Sequence, residues 1–359
     1  TYLLLDETPD EFIIFDTNKK EVYFVPHDEN KNFPIIFINK SRSETTISFS
    51  ADLHLATDTI KINNIKAKPI EDFQILANYW NSQNADRYIL LGDILEAPDI
   101  IRLYSESNDY DTLLNRFNEQ LHSLEKLNLT EILIGNNDVR DMGQLIKFRR
   151  KFDINPDTNK CIEWAKEIAD NVFAISLFLP HKIYYDNFND TSWFYNTINK
   201  IPAEVGAIIN QQQRYYKYFL ILTHQGFIRD SHWTTGYKYE DDPSFASDPL
   251  AIRKWENLTK RIKDTLLYFD SDHNPNEAYN NQIIIISGHY HKGTIIRSLD
   301  GIDHIICPSF HQGERDSKEI FNYMSYPIMN LKINLSHPES IEIVFKSLSS
   351  SPDKPRDFI

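Results

Sequence analysis

Short apolar runs alternate with longer amphipathic segments along most of the chain. Five of these runs are followed within two residues by a carboxylate, carboxamide or imidazole side chain, at Asp52, Asp93, Asn136, His224 and His289. A short apolar run bounded by turn residues is typical of a buried strand. In α/β proteins, functional side chains collect beyond the carboxyl ends of the strands. The pattern therefore predicts an α/β fold whose polar loops converge at one edge of a sheet.

Two amphipathic segments separate the first three of these strands. Over 69–84, apolar residues recur on one helical face, and over 109–127, leucine and phenylalanine recur every three or four residues. Pro69 stands where a first-turn proline is favoured, and Asn108 or Asp109 can cap the second segment. We therefore predict a helix over each range.

The ends of the chain are predicted to be separate from the main domain. Residues 1–44 contain three strand-like runs, the last at 34–38, and are expected to form a small β-rich extension. The main domain is predicted over 45–346, with 347–359 as a tail. The four apolar runs that follow the last polar loop are expected to form strands of a second sheet.

Two long stretches within the main domain, at about 139–216 and 225–281, are rich in aromatic and polar residues. We interpret both as insertions at the active-site mouth, and the second is expected to include a helix near 248–269. The aromatic clusters at 184–195 and 232–239 could stack a nucleobase, which is worth roughly 1–3 kcal/mol per base. Packing in a core or a lid would explain these clusters equally well.

The charge balance limits the substrates that the chain can bind. Its 359 residues include 52 acidic and 38 basic ones, for a formal charge of −14. Because an acidic surface repels a phosphate backbone, extended nucleic acid is not an expected partner. A small anionic substrate remains possible, since bound divalent cations reverse the local field.

Membrane and secretory features are not expected. No apolar run approaches the roughly 18 residues that span a bilayer, and the first residues do not resemble a secretory signal. Cys161 and Cys307 show no paired motif, so two buried free thiols are favoured over one disulfide. A cytoplasmic protein is therefore expected.

Five motifs carry side chains suited to divalent metal ions: Asp52-Leu53-His54, Gly92-Asp93-Ile94-Leu95-Glu96, Gly135-Asn136-Asn137-Asp138, Thr223-His224-Gln225-Gly226 and Gly288-His289-Tyr290-His291. Imidazole suits zinc, iron or nickel, and carboxylate and amide oxygens suit manganese, magnesium or iron. In an extended loop, residues i and i+2 point to the same side, so Asp52 and His54 could bind one ion together. Each motif alone is ordinary cap, turn or core chemistry. Five in this order, each after a strand, point to a metal site.

The order DxH, GDxxE, GNxD, H and GHxH resembles that of the calcineurin-like metallophosphoesterase superfamily. The motifs span 52–291, and the later strands fit the second sheet of that fold. The resemblance implies a four-layer α/β/β/α sandwich of two mixed sheets flanked by helices. It also implies two divalent metal ions, with manganese favoured over iron, zinc, magnesium or nickel.

The resemblance also assigns ligands residue by residue. It implies that one metal is held by Asp52, His54 and His291, that the other is held by Asn136, His224 and His289, and that Asp93 bridges the two. A hydroxide that bridges the metals would attack phosphorus. The metals would lower the pKa of that water from about 15.7 toward roughly 7. His224 would therefore serve catalysis as a ligand.

The third motif departs from the common family pattern. Many members have histidine where this chain has Asn137; that histidine protonates the leaving oxygen, and the acidic residue after it, here Asp138, orients it. An amide can donate a hydrogen bond to the substrate but cannot deliver a proton, and general acid catalysis contributes roughly 10²–10⁴-fold. His232 or His181 could be the acid instead. Glu96 could orient the site or a substrate group, or could be a first-turn acid favoured by a helix dipole.

The expected activity is therefore hydrolysis of a phosphodiester or phosphoanhydride of nucleotide type, whose leaving group needs little help. The expected partner is a small phosphorylated, nucleotide-like molecule, and a protein partner is left open. Two alternatives remain. One is a phosphomonoesterase, including a phosphoprotein phosphatase, and the other is a metal-binding scaffold with little turnover. The presence of all seven implied ligands favours an enzyme.

Overall fold

The structure is a computed structural model, and it describes residues 2–7, 11–16, 21–26, 44–56, 60–62, 65–96, 109–139, 141–158, 160–178, 200–212, 216–225, 283–289, 294–297, 303–310, 326–334 and 340–348. The strand expected at 34–38, the helix expected near 248–269 and both aromatic clusters lie outside these residues.

Seventeen strands occur in the described residues. They are β1 (Tyr2–Glu7), β2 (Glu11–Asp16), β3 (Glu21–Pro26), β4 (Glu44–Ser50), β5 (Leu55–Ala56), β6 (Ile60–Ile62), β7 (Ile65–Pro69), β8 (Arg87–Leu90), β9 (Thr130–Ile132), β10 (Ile162–Ala169), β11 (Val172–Leu177), β12 (Tyr218–Thr223), β13 (Ile283–Ser287), β14 (Thr294–Arg297), β15 (Asp303–Ile306), β16 (Pro327–Asn334) and β17 (Ser340–Ser347). The helices are α1 (Phe73–Ser82), α2 (Tyr110–Leu121), α3 (Met142–Lys151) and α4 (Ile201–Gln212), with 3₁₀ turns at Ile70–Asp72 and Leu127–Leu129.

The chain divides into two compact units. The smaller contains residues 1–45 and 333–341, and the larger contains residues 46–332 and 342–359. In the smaller unit, β1, β2 and β3 form an antiparallel sheet in that order. Strands β2 and β3 coincide with two of the three predicted strand-like runs, and β1 was not predicted. The boundaries set at 44 and 346 stay a prediction.

Two mixed sheets form the main part of the fold. One has the strand order β17-β16-β4-β8-β9, in which β4, β8 and β9 are parallel. The other has the order β10-β11-β12-β13-β15-β14; its four central strands are parallel, and β10 and β14 run antiparallel at the edges. A smaller sheet has the order β5-β7-β6.

The distribution of strands corrects two expectations. The last four strands do not form one second sheet, because β14 and β15 join the six-stranded sheet while β16 and β17 join the five-stranded one. The five polar loops therefore do not meet at one sheet edge. Three of them follow β4, β8 and β9, and two follow β12 and β13 in the other sheet. Sheet membership depends on long-range pairing, which a local apolar run does not encode.

The helices predicted over 69–84 and 109–127 are both present, and both are shorter than expected. Helix α1 covers only Phe73–Ser82, and Pro69 ends β7 instead of standing in the first helical turn. Helix α2 begins after Asp109, whose carboxylate accepts a hydrogen bond from the Thr112 amide at 2.8 Å, as capping predicts. It ends at Leu121 rather than at residue 127. Leu124 continues the apolar period and is buried, but it lies beyond the end of the helix. The apolar period therefore continues beyond the end of the helix.

Helices cover one face of each sheet. Apolar residues of α1, α2 and α3 form one core cluster with Tyr88 and Leu90 of the five-stranded sheet. Residues of α4 form another with Phe219 and Ile221 of the six-stranded sheet. The alternate residues of these strands, such as Leu220, are also buried, so both sheet faces are covered. This confirms the predicted α/β fold of two mixed sheets flanked by helices. None of the helices in the described ranges is both long and apolar enough to cross a membrane.

Candidate metal centre

Backbone hydrogen bonds hold the loops that follow β4 and β8 side by side. The Asp52 amide donates to the Gly92 carbonyl at 3.1 Å, and the His54 amide donates to the Asp93 carbonyl at 3.0 Å. In the other sheet, the Gly288 amide donates to the His224 carbonyl at 3.0 Å. Because these loops follow parallel strands, their side chains gather at the carboxyl ends of both sheets.

Four residues of this region have left-handed backbone conformations. Their φ angles are 53° at Asp52, 46° at His54, 49° at Asp93 and 67° at His289. The assumption of an extended loop after β4 is therefore wrong. The side chains of Asp52 and His54 nevertheless reach one cluster. Residues other than glycine rarely adopt φ > 0, and such backbone strain concentrates at functional sites.

Two glycines let the loops approach each other closely. Gly92 has φ +83°, and a Cβ there would lie 2.7 Å from the Gly135 amide nitrogen and 2.9 Å from the His224 ring. A Cβ on Gly135 would overlap the backbone nitrogen and the carboxylate of Asp93. Both positions therefore require glycine.

Ligand-type atoms meet in two groups that share one residue. One group contains Asp52, His54 and Asp93, and the other contains Asp93, His224 and His289; within each group the candidate ligand atoms lie within 4.8 Å of one another. Asp52 and Asp93 are almost fully buried. Each group offers a geometry that could hold a cation, and Asp93 belongs to both.

The Asp93 carboxylate faces in two directions. Its Oδ1 accepts a hydrogen bond from the Asn137 backbone amide at 2.6 Å, and its Oδ2 accepts one from the Asn137 side chain at 2.6 Å. The Oδ2 atom also lies 3.1 Å from His224 Nε2 and 4.0 Å from His54 Nε2. One oxygen is thus tied to the backbone while the other faces both histidines.

His224 shows that positive charge is needed in this cluster. Its Nδ1 lies 2.7 Å from the Leu91 carbonyl oxygen, which can only accept, so Nδ1 carries a proton. Its Nε2 lies 3.1 Å from both Asn136 Oδ1 and Asp93 Oδ2. A neutral ring would point a lone pair at these two oxygens. Either a proton or a metal ion on Nε2 removes that repulsion, and the same donor set fits a divalent cation.

The pKa values of the buried groups follow from burial and from the short distances between their charges. Burial opposes the charged form of both histidines, but nearby carboxylates raise each pKa to about 9: those of Glu96, Asp93 and Asp52 for His54, and those of Asp93 and Asp52 for His224. Burial likewise opposes ionisation of Asp93, yet the neighbouring histidines hold its pKa well below its usual range. Protons therefore supply positive charge that a divalent cation can replace.

Asn137 and Asp138 are both engaged in holding the loops. Besides the contacts of Asn137 with Asp93, Asp138 Oδ1 accepts hydrogen bonds from the amides of Ile94 and Leu95 at 2.9 and 2.8 Å. Its Oδ2 accepts one from the Gly135 amide at 2.7 Å. Burial, followed by the charge of Asp93, raises the pKa of Asp138 to about 7. The carboxyl group thus joins the loops that carry Asp93 and Asn136.

The remaining candidates divide into described and undescribed positions. Glu96 is buried, and its Oε2 lies 3.2 Å from His54 Nδ1. His291 and His232, like His181, lie outside the described residues, so their assignments stay predictions.

Three contacts were not predicted from the sequence. The Leu91 carbonyl orients His224, and no side-chain pattern could reveal a backbone acceptor. Ser309 Oγ donates to the Asp52 carbonyl at 3.0 Å. Ser309 is a hydroxyl three residues after the end of β15, so the pattern that marked the five motifs does not include it. The Asp52 carboxylate also accepts from the His289 amide at 3.0 and 3.1 Å.

Solved structures resemble this chain in fold. No protein-family model and no curated protein matches the sequence. A dimetal phosphatase from Danio rerio aligns at a TM-score of 0.51 and 11% identity, covering 87% of this chain and 98% of the other. A purple acid phosphatase from yellow lupin gives 0.47 and 11%, covering 95% and 57%, and the inner-membrane-complex anchor GAP50 of Plasmodium gives 0.45 and 12%, covering 87% and 88%. The first likeness confirms, at the level of fold, the resemblance to calcineurin-like metallophosphoesterases.

Proposed function

We propose that this chain, which has the fold of the calcineurin-like metallophosphoesterases, is a phosphoric ester hydrolase with two divalent metal ions. The observation that carries the proposal is the position of Asp93 in both groups of candidate ligand atoms. A carboxylate shared by two cation sites is what a two-metal hydrolase needs, because the two ions must act on one phosphoryl group.

The proposed ligands are those that the motifs indicated. One ion is assigned to Asp52, His54 and His291, the other to Asn136, His224 and His289, and Asp93 is assigned to both. Two ions held there would polarise the phosphoryl oxygens and lower the pKa of a water to about 7. Manganese is the favoured metal, since the donor set mixes imidazole with carboxylate and amide oxygens.

The chain's own contribution is to hold the ligands in place before substrate binds. Asn137 fixes the Asp93 carboxylate through two short hydrogen bonds, and Asp138 joins two of the ligand loops. Leu91 fixes the tautomer of His224 so that Nε2 faces the cluster. Preorganisation of this kind keeps the charges aligned with the reacting group without rearrangement during the reaction.

The substrate class follows from Asn137. An amide in this position cannot protonate a leaving oxygen, and its side chain already donates to Asp93 at 2.6 Å. We therefore assign the chain to phosphodiesters or phosphoanhydrides of nucleotide type, whose leaving groups need little protonation. An acidic chain, with a net charge of −14, favours a small substrate over extended nucleic acid.

The test is a substrate panel with the manganese-loaded chain: bis-p-nitrophenyl phosphate, p-nitrophenyl phosphate, an alkyl phosphate and a dinucleoside polyphosphate. We expect the diester and the anhydride to be hydrolysed faster than the alkyl phosphate. Asp93→Asn should abolish hydrolysis, while Asp111→Asn, which removes an exposed carboxylate paired with Lys147, should not.

Other outcomes separate the alternatives. Faster hydrolysis of monoesters than of diesters would indicate a phosphomonoesterase and overturn the substrate assignment. A metal-loaded chain that hydrolyses none of the panel would indicate a scaffold and overturn the proposal.

A further inference from the structure

Glu96 lies against the back of a proposed ligand, on the side away from the cluster. Its amide donates to the Leu55 carbonyl at 2.9 Å, and the Leu55 amide donates to the Ile94 carbonyl at 2.8 Å. Leu55 and Leu95 also form a parallel bridge. The backbone of Glu96 is therefore paired with the residue that follows His54.

The carboxylate of Glu96 is directed at His54. Its Oε2 lies 3.2 Å from His54 Nδ1, and the glutamate side chain is only 6% exposed. The other ring nitrogen, Nε2, lies 4.0 Å from Asp93 Oδ2, which is beyond direct hydrogen-bond reach. The Nδ1 atom of His54 thus faces the buried carboxylate of Glu96, and its Nε2 atom faces the candidate cation site.

His224, the histidine of the other candidate site, has a different partner at its Nδ1 atom. His224 Nδ1 donates to the neutral carbonyl of Leu91 at 2.7 Å, whereas His54 Nδ1 faces an acidic group. A carboxylate on the far nitrogen fixes the tautomer and raises the basicity of a metal-binding imidazole. The two candidate sites therefore differ in how their histidines are supported.

We propose that Glu96 is a positioning residue, which holds the His54 ring with Nε2 toward the Asp52–His54–Asp93 group and makes that group the tighter of the two cation sites. The inference rests on the proposed function. Of the two roles that the sequence left open for Glu96, it favours orienting the site over contacting the substrate, because the carboxylate faces a proposed ligand. It also gives a physical role to the glutamate of the GDxxE motif, three residues after Asp93.

The test is calorimetric titration of the metal-free chain with Mn²⁺, for wild type, Glu96→Gln and Glu96→Ala. The glutamine can still accept from Nδ1 but carries no charge, so we expect about a 10-fold loss in affinity at one site only. The alanine should lose roughly 100-fold at that site, since outer contacts of ligand histidines typically contribute 10- to 100-fold. Glu71→Gln, which removes an exposed carboxylate paired with Arg116, is the matched control and should titrate like wild type.

A second readout does not depend on affinity. In the Zn²⁺-loaded chain, nitrogen-15 NMR of the imidazoles should show His54 protonated on Nδ1 in wild type, and that resonance should shift in Glu96→Gln. Wild-type affinities at both sites together with an unchanged His54 resonance would overturn the role of Glu96 and leave the proposed function intact. A wild-type chain that binds no metal would overturn the proposed function, and the role of Glu96 with it.

Discussion

Glu163 is a buried carboxyl group whose replacement by glutamine should make stability less sensitive to a rise in pH from acidic to neutral values. It lies on β10 and is 1% exposed. Its Oε1 accepts from the Ile134 amide at 2.9 Å, and its Oε2 accepts from Ser176 Oγ at 2.5 Å. Ile134 directly precedes the third metal motif, so Glu163 links the six-stranded sheet to a loop of the metal site.

Burial sets the ionisation of this group. Burial raises the pKa of Glu163 to about 7, against the opposing effects of Ser176 and Arg149. Between pH 4.5 and 7 the folded chain therefore keeps a proton that the unfolded chain has lost. Stability from this group is fully present below pH 4.5 and is lost as the pH rises to 7. Since one pKa unit corresponds to about 1.4 kcal/mol, the loss is about 3 kcal/mol.

Glutamine can accept from Ile134 and donate to Ser176 without ionising. In urea denaturation followed by tryptophan fluorescence, the free energy of unfolding of Glu163→Gln relative to wild type should therefore rise by about 2–3 kcal/mol from pH 5 to pH 8. Glu167→Gln, an exposed position on the same strand, controls for the loss of one negative charge. A difference between Glu163→Gln and wild type that stays constant to within about 0.5 kcal/mol across this range would contradict this expectation, since it would mean that folding does not change the pKa of Glu163.

Three further substitutions test the site. Gly135→Ala should abolish Mn²⁺ binding in calorimetry because its Cβ would overlap Asp93, whereas Gly143→Ala in α3 should bind normally; equal binding by both would contradict the close approach. In Asp138→Asn, the side-chain NH2 group would face one of the three backbone N–H groups that donate to the carboxylate. Thermal denaturation should therefore show a loss of about 1–3 kcal/mol in the free energy of unfolding, and an unchanged melting temperature would contradict this. Asn137→His should raise hydrolysis of alkyl esters relative to aryl esters by up to roughly 10²-fold; an unchanged ratio would remove the basis for the substrate assignment.

The sequence could predict what depends on local pattern. Apolar runs located the strands that precede Asp52, Asp93 and His224. Each of these follows from residues adjacent in the chain. The prediction of the α/β class needed only the alternation of such strands with amphipathic segments.

The sequence could not predict what depends on long-range contacts. The separation of the polar loops between two sheets follows from strand pairing, such as that of β13 with β15. The hydrogen bond of His224 to the Leu91 carbonyl joins residues 133 positions apart. The left-handed backbone of His54 is imposed by neighbouring loops, so the extended geometry assumed for the first motif was wrong.

The most direct test of the account is the number of Mn²⁺ ions that one chain binds, measured by equilibrium dialysis with electron paramagnetic resonance, for wild type and Asp93→Asn. The account predicts two ions per wild-type chain, with the spectrum of a spin-coupled pair, and no coupled pair in the variant. A wild-type chain that binds two uncoupled ions, one ion or none would contradict it, as would a coupled pair that survives the loss of the Asp93 carboxylate.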